Sequence, residues 1–428
     1  MGVASGPVAS TPGVCPMCAA PLTSSPGYVV WCERCEWNVR PHKPPAPTSL
    51  LASSYARLGE KLGQGLFDEL SQATSLRPTI TPALVIATLF ALIVHLVSIG
   101  LIVLGALLIV ANWPAFPILV IGLLLIGCGA YLFPRRVQFP RKTLPRERAP
   151  AIYDVAGKVA ESIGAHPPFA IVLSLSFNAS YQVSGWRRRQ VLTLGVPLVA
   201  ILDDREVVAL IAHEMAHGVN GDAAKGFFIG SAIETLSRWY AVLLPPPSRV
   251  VVGGGIAALG MILSRPLLLV AAQLPRYAAV ALAHLLWRNK QRSEYLADYL
   301  AAQAAGTEAT LALLDKLYLG NLLQHSVQQI AVGGEQADLF TLLRRHRDAI
   351  PPLEWKRIRA VSRLEASTMD STHPPTRFRI AMLESHPVSH PKVQITLDAW
   401  RGFQRELDGA EPSARAALVD RFRNRLYY

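Results

Sequence analysis

Residues 213–217 read His-Glu-Met-Ala-His. Two histidines four positions apart stack on one helix face, so both imidazoles can reach a single metal ion. Glu214 points aside from that pair, toward the open coordination position, where its carboxylate can take a proton from an attacking water. Such a set is what metal-assisted hydrolysis of a peptide bond needs. A third protein donor is required, and the run Arg292-Ser-Glu-Tyr-Leu-Ala-Asp298 offers one. Glu294 and Asp298 are i, i+4 partners on one helix face. Glu294 suits the ion, whereas Asp298, one turn on, can hold a ligand histidine in the required tautomer.

These residues need elements to position them. Asp203 and Glu206 have the spacing of a capping box, and Val207, Val208, Leu210 and Ile211 supply an apolar face, so a helix starts just before the histidines. Residues 150–164 read as a helix packing beside it. Between 169 and 195 two runs, Ile171–Ser176 and Gln190–Leu194, alternate apolar and polar residues, as in a small antiparallel sheet. Residues 299–428 are mostly helical and show no internal repeat. The expected fold class is mainly α with a small antiparallel β-sheet, with residues 150–428 as the site-bearing domain.

Of the 428 residues, 51% are hydrophobic and 17% charged, and the mean hydropathy is +0.29, a balance that leans toward an integral membrane protein. The N-terminus is polar and rich in Pro and Gly, and no cleavable signal peptide is visible. Residues 83–111 carry no charge, and residues 115–133 follow after a short break. Each run can span a hydrocarbon core of ~30 Å, so 81–134 is expected to be a transmembrane helical hairpin. His95 within it is given no role. Arg135, Arg136, Arg141, Lys142, Arg146 and Arg148 stand against Glu147 beyond the second run. The positive-inside rule then places the N-terminus and the site-bearing domain in the cytoplasm, at the cell membrane. The net charge of +12 partly flanks the membrane, where anionic headgroups are a nearer partner than nucleic acid, and none of the latter is expected. Arg187-Arg-Arg189 reads as a solvated turn between strands, with substrate or lipid contact as the alternative. Residues 239–287 are again apolar. Arg265 and Arg276 are costly deep in lipid, so this stretch is expected to be a hairpin with a membrane-associated segment at about 250–287 that does not cleanly span; crossing the membrane twice is the alternative.

Near the N-terminus, Cys15-Pro-Met-Cys18 and Cys32-Glu-Arg-Cys35 form two CxxC knuckles. Four thiolates so spaced suit tetrahedral zinc, and so short a segment has too little core to fold without metal. Residues 1–40 are therefore expected to be a zinc ribbon, with Tyr28-Val-Val-Trp31 as the strand entering the second knuckle. Disulfides are the alternative. With Glu33 and Glu36 opposing Arg34 and Arg40, a protein partner fits better than nucleic acid. Residues 41–80 comprise a stiff proline linker and a helix at about 51–75, with Leu51, Tyr55, Leu58, Leu62, Leu66 and Phe67 on one side. Cys128, in the second apolar run, reads as a small packing residue.

Four separated pieces together resemble the HtpX-like group of membrane zinc metallopeptidases, which also contains the type-one CAAX prenyl proteases. They are Asn178-Ala-Ser-Tyr181, His213–His217 followed by Asn220-Gly-Asp222, Glu294–Asp298, and Thr372-His373-Pro-Pro-Thr376 with Arg379. The resemblance runs from about 150 to 390. It implies that His213, His217 and Glu294 bind a catalytic Zn2+, that Glu214 is the general base and that Asp298 supports a ligand. It further implies that Asn178 lies on an edge strand pairing with substrate backbone, that His373 donates to the oxyanion and that Arg379 supports His373. The ribbon would hold a second, structural Zn2+ on Cys15, Cys18, Cys32 and Cys35. Three departures stand out: Gly218 where the family tends to have a bulkier residue, Gln291 in place of an arginine, and Ala-Ser-Tyr for Ala-Phe-Ala. The implied function is a membrane-anchored endopeptidase acting on membrane or membrane-proximal proteins, in membrane protein quality control. The alternatives are a prenyl-peptide processing protease and a catalytically silent zinc-ribbon adaptor.

Overall fold

The computed structural model describes residues 13–41, 50–73, 76, 81–134, 138–185, 187–219, 222–244, 256–333, 338–364 and 373–427. The proline linker at 42–49, Arg135, Arg136, Asn220, Gly221, the breaks at 245–247 and 253–255, and Thr372 lie outside the described residues.

The chain enters through the cysteine knuckles and then forms α1 (Leu50–Ser71), α2 (Pro82–Ala111), α3 (Phe116–Leu132) and α4 (Pro150–Ile163). Three strands follow, β1 (Ala170–Ser174), β2 (Ala179–Ser184) and β3 (Arg189–Gly195), and then the short α5 (Val196–Val199). The remainder is helical: α6 (Asp204–Val219), α7 (Asp222–Leu243), α8 (Ile256–Ala305), α9 (Thr307–Leu317), α10 (Gly320–Gly333), α11 (Leu339–Asp348), α12 (Pro352–Arg363), α13 (Thr376–Ser385), α14 (Leu397–Asp408) and α15 (Glu411–Tyr427).

The mainly helical class holds, but the sheet is mixed, not wholly antiparallel. Its order is β1-β3-β2; β2 runs antiparallel to β3, whereas β1 runs parallel to it. The two alternating runs seen in the sequence are β1 and β3, which pair side by side because the chain between them crosses past the end of β3 to make β2. That crossing needs Gly195. A Cβ there would lie 2.0 Å from the Ser176 carbonyl oxygen and 2.4 Å from that of Asn178. Leu144 bridges to Ile171 on the far side of β1, which leaves β2 as the open edge of the sheet.

The core surrounds α6. Val207, Val208, Ala209, Ile211, Ala212, Met215 and Ala216 are buried against α4, the sheet, α9 and the last turns of α8. The helix begins as its sequence requires. The backbone N–H of Asp203 donates to Glu206 (2.7 Å), and Lys316 on α9 donates to both carboxylates, at 3.2 Å to Asp203 and 2.6 Å to Glu206.

α2 and α3 form a close hairpin in which glycines let the backbones touch: a Cβ on Gly105 would lie 2.5 Å from the Gly122 carbonyl oxygen. Beside them pack α7 and the first half of α8, with Ala87, Ala91 and Val94 of α2 against Ile229, Ala232, Leu236 and Leu282. His95 is buried there, within 3.1 Å of the Phe228 carbonyl oxygen. Pro82–Ala111 and Ser264–Ala305 are long and apolar enough to cross a membrane; Phe116–Leu132 is apolar but shorter, at 17 residues. Within the second apolar stretch, α8 runs unbroken from Ile256, despite Pro266 and Pro275, to the site, and it packs beside α7. Asn289 of α8 donates to Thr81, the residue that caps α2. Glu294 is only five residues further, about 8 Å along the helix.

The N-terminal pieces lie on the domain. α1 turns Leu66, Phe67 and Leu70 onto Tyr295, Leu296, Phe378 and Met382, so its apolar side covers α8 and α13. In the ribbon, Tyr28–Trp31 forms no strand; Trp31 instead packs with Val39 against Ala360 of α12. Lys356 and Arg363 of that helix pair with Glu33 and Glu36, and Arg357 donates to the Val39 carbonyl.

Candidate metal centre and active site

α6 and the buried last turns of α8 bring the three expected donors together. Nε2 of His213 and Nε2 of His217 each lie 3.6 Å from Glu294, on its Oε2 and Oε1 respectively. One ligand atom from each of His213, His217 and Glu294 falls within a 4.8 Å span. With bonds of ~2.0–2.1 Å, the edge of a tetrahedron is about 3.4 Å, so the donor set fits a zinc-type ion in both chemistry and spacing.

The neighbouring groups orient these donors. His213 donates its Nδ1 proton to Asp298 Oδ1 (3.0 Å), which leaves Nε2 as the lone-pair nitrogen facing Glu294 and His217. Arg379 of α13 spans both oxygens of Asp298, with Nε 2.8 Å from Oδ2 and Nη2 2.6 Å from Oδ1. All three side chains are buried, so the chain Arg379–Asp298–His213 is a dry, charge-assisted one. The expected support of His373 by Arg379 is thus not the contact observed. His373 stands at the entrance to α13 with Nδ1 2.5 Å from Glu294 Oε2, while 54% of its side chain is open to solvent.

Burial pushes Glu214 up to about 7, where a carboxylate suits general-base work near neutral pH. Burial, aided by the neighbouring His213, pulls His217 down to about 4, which keeps that imidazole neutral and able to ligate. For His213 burial pulls downward as well, but the Asp298 hydrogen bond and charge outweigh it and leave the ring above its ordinary value.

Asn178 is exposed and lies immediately before β2, the open edge strand, which packs against α6. Two departures noted in the sequence prove to be one feature. A Cβ on Gly218 would lie 2.7 Å from Cε1 of Tyr181, so the tyrosine ring of the strand covers the space that a side chain at 218 would fill. Tyr181 is fixed there by donating to the His166 carbonyl (3.1 Å). Arg292, one residue away from the family's arginine position, reaches the Leu76 carbonyl and Glu69 instead of the site. Lys316, which pins the start of α6, was not singled out from the sequence; its partners are 110 and 113 residues away and carry no local signal.

A model of Peptidase family M48 matches residues 147–386, more than half of the chain and all of the cluster just described. The chain belongs to this family. Among curated relatives, Protease HtpX of Idiomarina loihiensis is 26% identical over 203 residues, covering 46% of this chain and 65% of that protein. Protease HtpX of Nitrosococcus oceani is 28% identical over 222 residues, covering 51% and 65%. The Protease HtpX homolog of Persephonella marina is 24% identical over 264 residues, covering 59% and 82%. The chain thus spans about 65% of the length of the first two. No solved structure matches. Membership of M48 agrees with the zinc-type donor set on α6 and α8, and the ribbon lies N-terminal to the matched region.

In the ribbon the four thiols are free and mutually close: Cys15 to Cys35 is 3.5 Å and Cys18 to Cys32 is 3.6 Å, with all four sulfurs inside 4.8 Å. A tetrahedron with bonds of ~2.3 Å has an edge of about 3.8 Å, so this set also fits a zinc-type ion. The two knuckles are alike. Each second cysteine is followed by a residue in the left-handed region, Ala19 (φ 54°) and Glu36 (φ 56°), which closes the turn around the sulfurs.

Proposed function

We propose that this M48 member is a membrane-anchored zinc endopeptidase that cleaves membrane or membrane-proximal proteins. The observation that carries the reading is the convergence of His213, His217 and Glu294 beside Glu214, with the site about 8 Å beyond the capped end of the apolar bundle.

A zinc ion held by these three donors would supply Lewis acidity to the scissile carbonyl and to water. The rest of the work belongs to the chain. Glu214 accepts the proton of the attacking water and delivers it to the leaving amine. Asp298 and Arg379 hold His213 in the ligating tautomer. The free edge of β2, entered at Asn178, accepts an extended peptide as an added strand, in which backbone hydrogen bonds align the scissile bond over α6. His373, exposed and within reach of Glu294, donates to the oxygen that becomes negative during attack.

The four ribbon cysteines hold a second, structural zinc, and the ribbon serves as a recruitment module for a protein partner. The domain and the ribbon face the cytoplasm, following the basic residues beyond α3. Relatives named as proteases support protein substrates, and membrane protein quality control is the role this reading assigns.

Replacing Glu214 with Gln tests the reading. The purified variant is expected to retain its zinc and to lose hydrolysis of an unfolded protein such as casein by roughly 10²–10⁴-fold. Equal turnover by variant and parent would refute the assignment.

A further inference from the structure

The β2–β3 turn carries a feature that peptide hydrolysis does not use. Gly185 and Arg188 both adopt left-handed backbone, at φ 71° and 49°, and the Arg188 N–H donates to the Gly185 carbonyl (3.3 Å). The turn exposes Arg187 and Arg188 to solvent. A left-handed arginine costs about 1–2 kcal/mol where glycine would cost nothing, so the turn holds its cations outward against a local preference.

Around this turn lies a shallow cavity of about 240 Å³ lined by Phe139, Ser184, Gly185, Arg187 and Arg189. Its walls are aromatic and cationic together. Cζ of Arg189 sits 3.9 Å from the ring centre of Phe169 and 5.8 Å from that of Phe139, and the two rings meet edge to face at 6.0 Å. Phe169 is nevertheless 50% exposed. Ser184 is buried, and its hydroxyl has no hydrogen-bond partner among the described residues. Arg141 and Lys142, exposed, follow Phe139 after one intervening residue, Pro140. Among the described residues, none of Arg141, Lys142, Arg187, Arg188 and Arg189 is paired with a carboxylate.

We propose that this cavity binds the phosphate-bearing headgroup of an anionic phospholipid. Arg187 supplies the main cation, Arg141 and Lys142 add to the field, and Phe139 and Phe169 lie against the glycerol and upper acyl region. Position selects lipid over other anions. Phe139 comes seven residues after Leu132, the last of α3, so it is at most about 25 Å from the end of the apolar hairpin. The exposed Phe169 and the partly buried Phe139, interleaved with cations that no carboxylate pairs, suit a headgroup layer, where each basic side chain contributes a near-constant attraction. The proposal rests on the membrane placement of α2 and α3 and not on the peptidase reading, and its test uses no activity.

The test is a titration of the full chain, in neutral detergent at low salt, with dihexanoyl phosphatidylglycerol. Parallel arms use dihexanoyl phosphatidylcholine, inorganic phosphate and an acidic peptide. The parent is expected to bind the phosphatidylglycerol most tightly. Arg187→Ala should weaken it about fivefold, and the triple replacement of Arg141, Lys142 and Arg187 by Ala on the order of a hundredfold, with Arg187→Lys restoring most of the loss. An unchanged unfolding temperature and zinc content in each variant would show that the chain still folds. Equal affinity of parent and triple variant for phosphatidylglycerol would overturn the proposal. So would inorganic phosphate or the acidic peptide binding as tightly as the lipid, which would make this a free-anion or a protein site.

Discussion

Asp298 is the residue on which the geometry of the donors turns. It accepts from His213 and from two nitrogens of Arg379, with all partners buried, so removing one charge strands another in a dry environment. Arg379→Leu is expected to destabilise the protein by about 3–5 kcal/mol, and Asp298→Asn to weaken the catalytic-site metal by roughly 10–100-fold while the ribbon ion stays. Thermal unfolding and competition with a chelator would measure the two effects; unchanged zinc retention in Asp298→Asn would contradict the orienting role. The pair Gly218 and Tyr181 gives a second check. Gly218→Ala should push the Tyr181 ring from α6, and the additional change Tyr181→Ala should remove much of that cost, a coupling of about 0.5–3 kcal/mol in a double-mutant cycle. At this scale the sequence was partly readable. His213, Glu214 and His217 are local to one helix, where spacing exposes them; Glu294 and Asp298 share another helix face, where the spacing is weak by itself and the order of the motifs adds the rest. The link from Asp298 to Arg379 crosses 81 residues, and the match of Tyr181 to Gly218 joins two positions that look like independent departures until the strand is laid on the helix.

Among the elements, the helices were legible because their apolar faces and caps are local, and the knuckles because cysteine spacing is. What escaped was pairing. β1 and β3 looked like neighbours of opposite direction, yet they run parallel, because the residue that decides the crossover, Gly195, acts by having no side chain against Ser176 and Asn178. Gly195→Val is expected to prevent the crossing and abolish accumulation of folded protein, seen as loss of the soluble-in-detergent fraction. The α2–α3 contact has the same origin. Gly105→Leu should force the helices apart and lower stability by about 1–3 kcal/mol, read from the unfolding temperature in detergent. A Gly100→Ala control, where nothing lies within 4 Å, should leave it unchanged.

On the scale of the molecule, the ribbon and α1 are laid against the helices on either side of His373, one on α12 and the other on α13 and α8. That arrangement was invisible in a sequence where a proline linker suggested an independent module, because Trp31 and Ala360 meet across more than three hundred residues. Cys15→Ser with Cys32→Ser is expected to reduce bound zinc from two ions per chain to one by elemental analysis. Trp31→Ala should keep both ions yet let a protease release the ribbon from α12, since the exposed ion pairs to Lys356 and Arg363 contribute only about 0.2–1 kcal/mol each.

α8 is a single helix whose first half carries exposed apolar side chains, Leu267, Val270 and Leu274 among them, and whose last turns carry Glu294 and Asp298. A shift of that apolar half would carry both carboxylates with it, because all of these residues ride on one helix axis.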